Sequence, residues 1–330
     1  MTISLKNNSL TQWQGWVWQG EELPSGLQEQ QITAPTLAAD EVLVKNAAIA
    51  LNPVDWKLLD AMPGQVPGVD GAGVVVAAGS EQLSGLIGQR VAYHQNLQAA
   101  GSFAQYTPLK AQVVMRIPDA MSFSDAAAFP CPGLTAWQTL EKIAARPGAR
   151  VLISGAGGAV GRFLVQLATQ RGFEVTTLSH PRHHEILRQL GANQCLDNSQ
   201  TDKPALPESL VAGFYAVIDA ISPERALALQ AGVEANGHLV CIQGRLETWP
   251  NPAFGRAISM HEVALGALHQ YGNAQQWQAL TRDGEQLLAA IASGSLQGET
   301  VRTAGWDQLP AQLLALKHRS FSGKPVIIVE

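Results

Sequence analysis

Residues 151–162 read VLISGAGGAVGR, a short apolar run followed by a turn of glycine and alanine and then by the start of a second apolar pattern. The run before the turn predicts a buried strand, and Val160, Leu164 and Leu167 after it recur at helical spacing. A turn without side chains lets the backbone reverse tightly or approach an anion at a helix N-terminus. This strand, turn and helix predict a dinucleotide site, with a turn that serves only packing as the alternative.

The glycine spacing is G-x-x-G-x-x-G, whereas the commoner fingerprint is G-x-G-x-x-G. Gly155 is expected to permit the tight turn, Gly158 to let a pyrophosphate approach the main chain, and Gly161 to let the helix pack against the strand. The predicted cofactor contacts in this stretch are Gly155, Gly157, Gly158, Ala159, Val160 and Gly161.

Strands and helices alternate from residue 151 onward, which predicts a parallel sheet with helices on both faces, a doubly wound Rossmann arrangement. The predicted elements include EVTTLS, HHEILRQLG, QCLD, YAVIDAI, PERALALQAGV, GHLVCIQG and EVALGALH. Before residue 130 the pattern changes to short strands separated by Gly, Pro and Asn turns, as in DEVLVKNAAIALNP and GVDGAGVVVAAGS. That part predicts a mainly antiparallel domain.

Between the two parts, Ser122 with Asp125 predicts a helix start, and LTAWQTLEKIAA (134–145) predicts a helix that continues until Pro147. The tail predicts helices near 275–292 and 307–318 and a last strand, KPVIIV, that has no evident partner in the parallel sheet.

Composition limits the function classes. The chain has 330 residues, 46% hydrophobic and 15% charged, with a net charge of −5, so two domains are expected and nucleic acid is not an expected partner. The start, MTISLKNNSLTQW, lacks the features of a secretion signal, so we expect a cytosolic protein. The three cysteines are too far apart in sequence for a disulfide framework or a zinc knuckle.

The residues after EVTTLS indicate which dinucleotide binds. An NAD site has an acidic residue about 20 positions after the motif, but here the segment reads LSHPRHH. Ser179 offers a hydroxyl and Arg182 a permanent positive charge, which suit the 2′-phosphate of NADPH. Glu174 begins that strand and is expected to point away from the ribose. The alternative is that Arg182, His183 and His184 form a solvated helix start.

These motifs together resemble the medium-chain dehydrogenase/reductase superfamily, and within it the zinc-independent quinone oxidoreductases related to zeta-crystallin. The resemblance rests on EVLVKNAAIALNPVDWK, PGVDGAGVVVAAGS, GSFAQYT, AAAFPCPGLTAWQTL, VLISGAGGAVGRFLVQLA and SGKPVIIV. It implies a GroES-like catalytic domain split between residues 1–130 and 270–330, an NADPH-binding Rossmann domain over 131–269, and a nicotinamide cleft between them. The split domain would provide a sheet for KPVIIV.

The resemblance also locates the zinc-ligand positions of the superfamily's alcohol dehydrogenases. Those positions carry Asn52, Val69 and Cys131 here, which do not make the three-ligand site that catalytic zinc needs. We therefore expect no metal, and we interpret Cys131 as a buried small residue.

Without a Lewis acid, hydride transfer suits an acceptor that delocalises negative charge, such as a quinone or an α,β-unsaturated carbonyl. By the resemblance, Asn52 and Tyr93 are candidate donors to the substrate oxygen, and Thr135 is expected to pack on the nicotinamide ring. Asp55 and Lys57 either support the pocket or form a surface pair.

Further candidates have weaker signals. His94 could titrate near neutral pH, although a lone histidine is more often structural or solvated. Gly244 is a predicted cofactor contact, and Arg245 is either another or a surface residue. Trp13, Trp16 and Trp18 alternate on a predicted strand, which indicates ordinary packing rather than an aromatic platform.

Three functions stay open. The first is an NADPH-dependent quinone or enone reductase, the second an NADPH-dependent aldehyde or alcohol dehydrogenase of the same fold, and the third a non-catalytic NADPH-binding sensor or bulk protein. The resemblance also implies a homodimer, in which EVALGALH supplies the strand at the interface.

Overall fold

The computed structural model describes residues 11–200 and 207–329. The chain divides into two compact units. One ends at Cys131 and resumes at Gly266, and the other is Pro132–Leu265.

The elements are numbered in chain order. The strands are β1 (Gln12–Trp18), β2 (Leu27–Thr33), β3 (Glu41–Ala50), β4 (Asp70–Ala78), β5 (Arg90–His94), β6 (Tyr106–Lys110), β7 (Val114–Arg116), β8 (Arg150–Ser154), β9 (Glu174–Ser179), β10 (Gln194–Asp197), β11 (Phe214–Asp219), β12 (Val233–Cys241), β13 (Ser259–Glu262), β14 (Val301–Ala304) and β15 (Lys324–Ile328). The helices are α1 (Pro53–Lys57), α2 (Phe123–Ala127), α3 (Pro130–Leu140), α4 (Ala159–Gln170), α5 (His184–Gln189), α6 (Pro223–Leu229), α7 (Ala267–Tyr271), α8 (Ala274–Ala292) and α9 (Leu309–Lys317).

The unit Pro132–Leu265 contains a parallel sheet in the order β10-β9-β8-β11-β12-β13. β11 is buried at every position, as expected for a central strand covered on both faces. The hydrophobic core of this unit includes Leu152 of β8, Leu178 of β9, and Phe214 and Val217 of β11. The predicted doubly wound Rossmann arrangement is confirmed.

The other unit contains a mainly antiparallel sheet in the order β14-β15-β3-β4-β5-β7, with β6 also paired to β3. β15 is the predicted terminal strand KPVIIV, and it pairs antiparallel with β3 so that Val326 faces Ala50. The strand without an evident partner in the parallel sheet therefore completes the antiparallel one. The predicted mainly antiparallel domain is confirmed.

Two predicted elements differ from the structure. The helix expected to run to Pro147 ends at Leu140, whose carbonyl oxygen accepts a hydrogen bond from Arg171 Nη1 at 2.7 Å. EVALGALH is not a strand, because β13 ends at Glu262 and α7 begins at Ala267. Gly266 stands between these two elements as the N-cap of α7.

The tryptophans of β1 pack as ordinary side chains, as predicted. Trp13 and Trp18 are buried in the hydrophobic core, and the half-buried Trp16 packs against it with its ring 5.9 Å from that of Trp306. None of the helices in the described parts of the chain is long and apolar enough to cross a lipid bilayer.

Candidate active site and cofactor turn

The glycine-rich turn connects β8 to α4, as predicted, and two of its glycines are required by the chain itself. Gly155 has φ +76°, a conformation that side chains rarely adopt. A Cβ at Gly161 would lie 2.5 Å from both Ala156 Cα and the Gly155 carbonyl oxygen. Packing between the turn and the first turn of α4 therefore excludes a side chain at Gly161.

Gly158 has no such internal reason to be glycine. It is the N-cap of α4, and the nearest atom to a Cβ built there is the Gly155 carbonyl oxygen at 3.5 Å. The N–H groups at the start of an α-helix have no acceptor within the helix and favour an anion. No other atom of the described residues lies within 4 Å of that Cβ position, so the main chain at Gly158 is open to close approach.

Cationic and imidazole side chains surround this turn. We call Arg162, His180, Arg182, His183 and His184 the cationic turn. Arg162 lies in the first turn of α4, and the other four follow β9. The Arg162 Nε is buried and has no hydrogen-bond partner within residues 11–200 and 207–329. An unsatisfied buried donor beside a helix N-terminus is a place where a ligand oxygen would be stabilised.

The end of β9 offers no carboxylate to a ribose. Ser179 is buried, with its Oγ 3.4 Å from the His180 carbonyl oxygen, while Arg182 is exposed. Glu174 is exposed at the beginning of the strand. Asp197, at the end of β10, is the register partner of Ser179, so a carboxylate lies on the neighbouring strand. The expected preference for a phosphorylated ribose stays a prediction.

The loop after β12 holds the remaining predicted cofactor residue of this unit. Gly244 has φ +109°, and a Cβ there would lie 2.8 Å from Pro223 Cγ. Arg245 is exposed and forms ion pairs with Glu247 and Glu262, each at 3.5 Å. Arg245 is therefore engaged with surface carboxylates.

The other unit contains a group of buried polar and charged residues that we call the buried network: Asn52, Asp55, Asp70 and Lys324. Lys324 Nζ donates to Asn52 Oδ1, and Asn52 Nδ2 donates to Asp70 Oδ2 at 2.9 Å. An amide side chain therefore links a buried ammonium to a buried carboxylate. All four residues are at most 5% exposed.

Backbone N–H groups bind the two carboxylates of this network. Asp55 accepts from Asn52 N at 2.6 Å and from Val69 N at 3.1 Å, and Asp70 accepts from Cys131 N at 3.0 Å. Burial is the main effect on both carboxyls and raises their pKa values to about 7, against the lowering effects of Lys324 and these donors.

The zinc-ligand positions do not fit a metal. Both polar groups of the Asn52 amide bind protein atoms, and Val69 has no donor atom in its side chain. The residue Cys131 is half-buried, whereas it was expected to be buried. Its thiol is the buried part, and this burial raises the pKa of the thiol. Nowhere in the described residues do three His, Cys, Asp or Glu side chains group as metal ligands.

Two predicted substrate donors bind internal acceptors of the protein. Tyr93 is fully buried, its hydroxyl donates to Asn46 Oδ1 at 2.6 Å, and it lies 3.0 Å from Thr107 Oγ1. Burial raises the pKa of this phenol. The Asn52 Nδ2 is directed to Asp70 and, at 3.4 Å, to the Ala50 carbonyl oxygen. Internal acceptors of the same sheet therefore bind the hydrogens of both groups, and their expected role as substrate donors stays a prediction.

Thr135 lies in α3 and is 8% exposed, and its carbonyl oxygen accepts from Thr139 Oγ1 at 2.7 Å. Its expected contact with the nicotinamide stays a prediction. Asp55 is buried, so the alternative of an Asp55–Lys57 surface pair is wrong. Lys57 is exposed, with its ammonium 5.8 Å from the centre of the Trp56 ring.

His94 is not a lone histidine. Its Nδ1 lies 3.1 Å from His269 Nε2, and the rings stack with centroids 5.3 Å apart. Burial lowers the pKa of His94 to about 3 and that of His269 to about 4. The pair is therefore neutral at physiological pH.

Sequence reasoning missed Asp70, Lys324, Arg162 and the packing of His183. A charged residue inside an apolar strand was the available signal for Asp70, in GVDGAGVVV, and for Lys324, in KPVIIV. Arg162 is the last residue of the opening motif and lies one helical turn after Gly158.

Known proteins resemble both units. The alcohol dehydrogenase GroES-like domain family matches residues 38–119. A 2-methylene-furan-3-one reductase of Solanum lycopersicum is 32% identical over 74% of this chain, and the match spans 64% of the tomato protein's length. The trans-enoyl reductase ccsC of Aspergillus clavatus is 32% identical over 89% of this chain and 90% of its own.

Among solved structures, the quinone oxidoreductase of Coxiella burnetii superposes with a TM-score of 0.78 at 21% identity, over 97% of this chain and 100% of that one. That likeness shows the shared fold. With the sequence relatives and the two sheets, it leads to one assignment: the chain belongs to the medium-chain dehydrogenase/reductase superfamily.

Proposed function

We propose that the protein is an NADPH-dependent, metal-independent reductase that transfers hydride to an α,β-unsaturated carbonyl or a quinone. The observation that carries the proposal is the cationic turn beside an open helix N-terminus, with no carboxylate at the end of β9. Such a site favours a dinucleotide that bears an additional phosphate.

NADPH, when bound, supplies a hydride to the acceptor. The main-chain N–H groups at Gly158, Ala159 and Val160 would hold its pyrophosphate, and Arg182 with Arg162 would hold its 2′-phosphate. Ser179 and Gly244 are further proposed contacts of the same cofactor. Thr135 is proposed to pack on the nicotinamide ring.

The proposed acceptor class rests on the residues at the zinc-ligand positions. Asn52 and Val69 offer no metal ligand, so the chain has no Lewis acid at that position to polarise a simple aldehyde. An enone or a quinone needs this help less, because conjugation spreads the negative charge that hydride addition creates. The names of the tomato and Aspergillus relatives describe reduction of a methylene-furanone and of enoyl substrates, which supports the enone.

The primary test is NADPH consumption by the chelator-treated protein, with a small enone, a small quinone and a simple aldehyde offered separately. We expect turnover with the enone or the quinone, unchanged by the chelator. Turnover with the aldehyde alone, or activity lost to the chelator and restored by zinc, would contradict the proposal. NADPH binding without turnover of any acceptor would favour the non-catalytic sensor.

The cofactor assignment has its own test. Arg182→Ala removes a charge-assisted contact worth about 1.5–3 kcal/mol, so we expect NADPH affinity to fall by about one to two orders of magnitude with NADH affinity unchanged. Arg188→Ala is the matched control, because Arg188 is an exposed arginine of the following helix, 3.9 Å from Glu185. Equal losses for both dinucleotides would exclude Arg182 as the 2′-phosphate ligand.

We also propose a homodimer. β13 is the last strand of the parallel sheet, so one of its edges is open to a strand of a second chain. Light scattering after gel filtration gives the mass directly, and a monomer at micromolar concentration would exclude the dimer.

A further inference from the structure

The His183 ring lies directly on the glycine-rich turn. A Cβ at Gly157 would lie 2.4 Å from His183 Cδ2 and 2.7 Å from its Cγ, so Gly157 is glycine because the imidazole packs on its backbone. His183 is half-buried at the end of the short turn between β9 and α5. The ring is thus held against the loop that would receive the phosphates of a dinucleotide.

One hydrogen bond determines the tautomer of this ring. Arg182 Nε lies 3.1 Å from His183 Nε2 and donates to it. An arginine Nε always carries hydrogen, so His183 Nε2 must be the unprotonated nitrogen of a neutral imidazole. Protonation of His183 at Nε2 would therefore break the bond and release the Arg182 side chain.

The groups that face His183 favour its neutral form. Burial lowers its pKa most, and Arg182, Arg162, His180 and His184 lower it further. Arg162 approaches from α4, and the other three belong to the segment after β9. Each of these facing groups is an arginine or a histidine, and none of the four carries a negative charge. A bound anion would therefore be the first negative charge beside the ring.

We propose that His183 takes up one proton when the 2′-phosphate of NADPH binds, and that this proton uptake adds to the preference for NADPH over NADH. The phosphate attracts Arg182 away from His183 Nε2, and the freed nitrogen binds a proton from solvent and donates it in a hydrogen bond to the phosphate. This inference rests on the proposed cofactor and assigns a residue of that same site.

The proposal predicts a pH dependence with a definite sign. Because the complex binds one more proton than the free protein, NADP⁺ affinity falls as pH rises, by at most tenfold per pH unit. NAD⁺ has no 2′-phosphate and its affinity stays level. The phosphate itself titrates near pH 6, so the range to measure is about pH 7–8.5.

The experiment is calorimetric titration of the intact protein with NADP⁺ and with NAD⁺, in two buffers of different protonation enthalpy. We expect uptake of up to one proton with NADP⁺ and none with NAD⁺. His183→Gln keeps an acceptor for Arg182 but cannot titrate, so it should bind NADP⁺ without proton uptake and with affinity independent of pH. His318→Gln, an exposed histidine on α9's C-terminal side, is the control and should behave as the wild type.

A wrong cofactor assignment and a wrong role for His183 would give different results. If NADP⁺ binds no tighter than NAD⁺ at any pH, the proposed cofactor is wrong. If NADP⁺ binds tighter but His183→Gln takes up the same number of protons as the wild type, the cofactor stands and the role of His183 is overturned. Thermal unfolding of each variant confirms that it is folded before titration.

Discussion

The buried network and the cationic turn are both groups of charged side chains, but they differ in how their polar atoms are satisfied. In the buried network the two carboxylates, the amide and the ammonium bind one another or backbone N–H groups. In the cationic turn Arg182 is exposed, and Arg162 Nε has no partner in the described part of the chain. Side chains whose polar atoms all have hydrogen-bond partners stabilise the fold, whereas a polar atom without a partner is available to a ligand.

This difference also separates the two kinds of prediction made from the sequence. Arg182 of the cationic turn was expected to bind a cofactor, and this role stays a prediction. Asn52 and Tyr93 were expected to bind substrate, and both are committed to internal partners. Variants that separate stability from ligand binding test this difference between the two groups of residues.

The largest expected effect is on the buried network. Lys324→Met leaves two buried carboxyls without their cation, and we expect about 3–5 kcal/mol loss in the free energy of unfolding at pH 8. Because the carboxyl pKa values in the native protein are about 7, above their unfolded values, both protonate as pH falls. The loss should therefore shrink towards pH 5.

Urea unfolding at several pH values measures this effect. Lys110→Met is the control, because Lys110 forms an exposed ion pair with Asp40 at 2.8 Å and such pairs contribute about 0–1 kcal/mol. If Lys324→Met is no more destabilising than the control, Lys324 is not the cation that holds the network.

Alanine substitutions at two glycines test the glycine-rich turn between β8 and α4. Gly161→Ala places a Cβ against Ala156 and should cost about 1–3 kcal/mol of stability. Gly158→Ala extends into open space, so we expect a stability change of about 0.5 kcal/mol or less together with a clear loss of dinucleotide affinity. Thermal unfolding and dinucleotide titration distinguish the two. Unchanged affinity in Gly158→Ala would mean that no phosphate approaches this glycine.

The last prediction concerns the Tyr93 hydroxyl, for which we expect an effect on stability and none on turnover. Tyr93→Phe removes the donor to Asn46 Oδ1 and should cost about 1–2 kcal/mol in the free energy of unfolding, with kcat for NADPH oxidation unchanged. The matched variant Tyr106→Phe changes a half-buried tyrosine of β6. A hundredfold fall in kcat for Tyr93→Phe alone would show that its hydroxyl serves the reaction after all.

Much of the fold could be predicted because its signals are local. Alternating strands and helices after residue 151 predicted the parallel sheet, and the glycine spacing placed the turn between β8 and α4. Local patterns failed where a distant contact decides an element's end. The helix α3 ends at Leu140, whose carbonyl oxygen accepts a hydrogen bond from Arg171, and no residue near Leu140 in the sequence predicts this bond.

The candidate site divides in the same way. The sequence alone determined the glycine turn, the absence of a carboxylate after β9 and the charge of Arg182, because these depend on residue types within about 30 positions of one another. Folding brings Lys324 to Asn52, 272 positions away in the chain, and packs His183 on Gly157, and neither contact could be predicted from the sequence. Which buried atoms are already satisfied depends on such distant partners, and that is why the substrate donors were the part that the sequence did not determine.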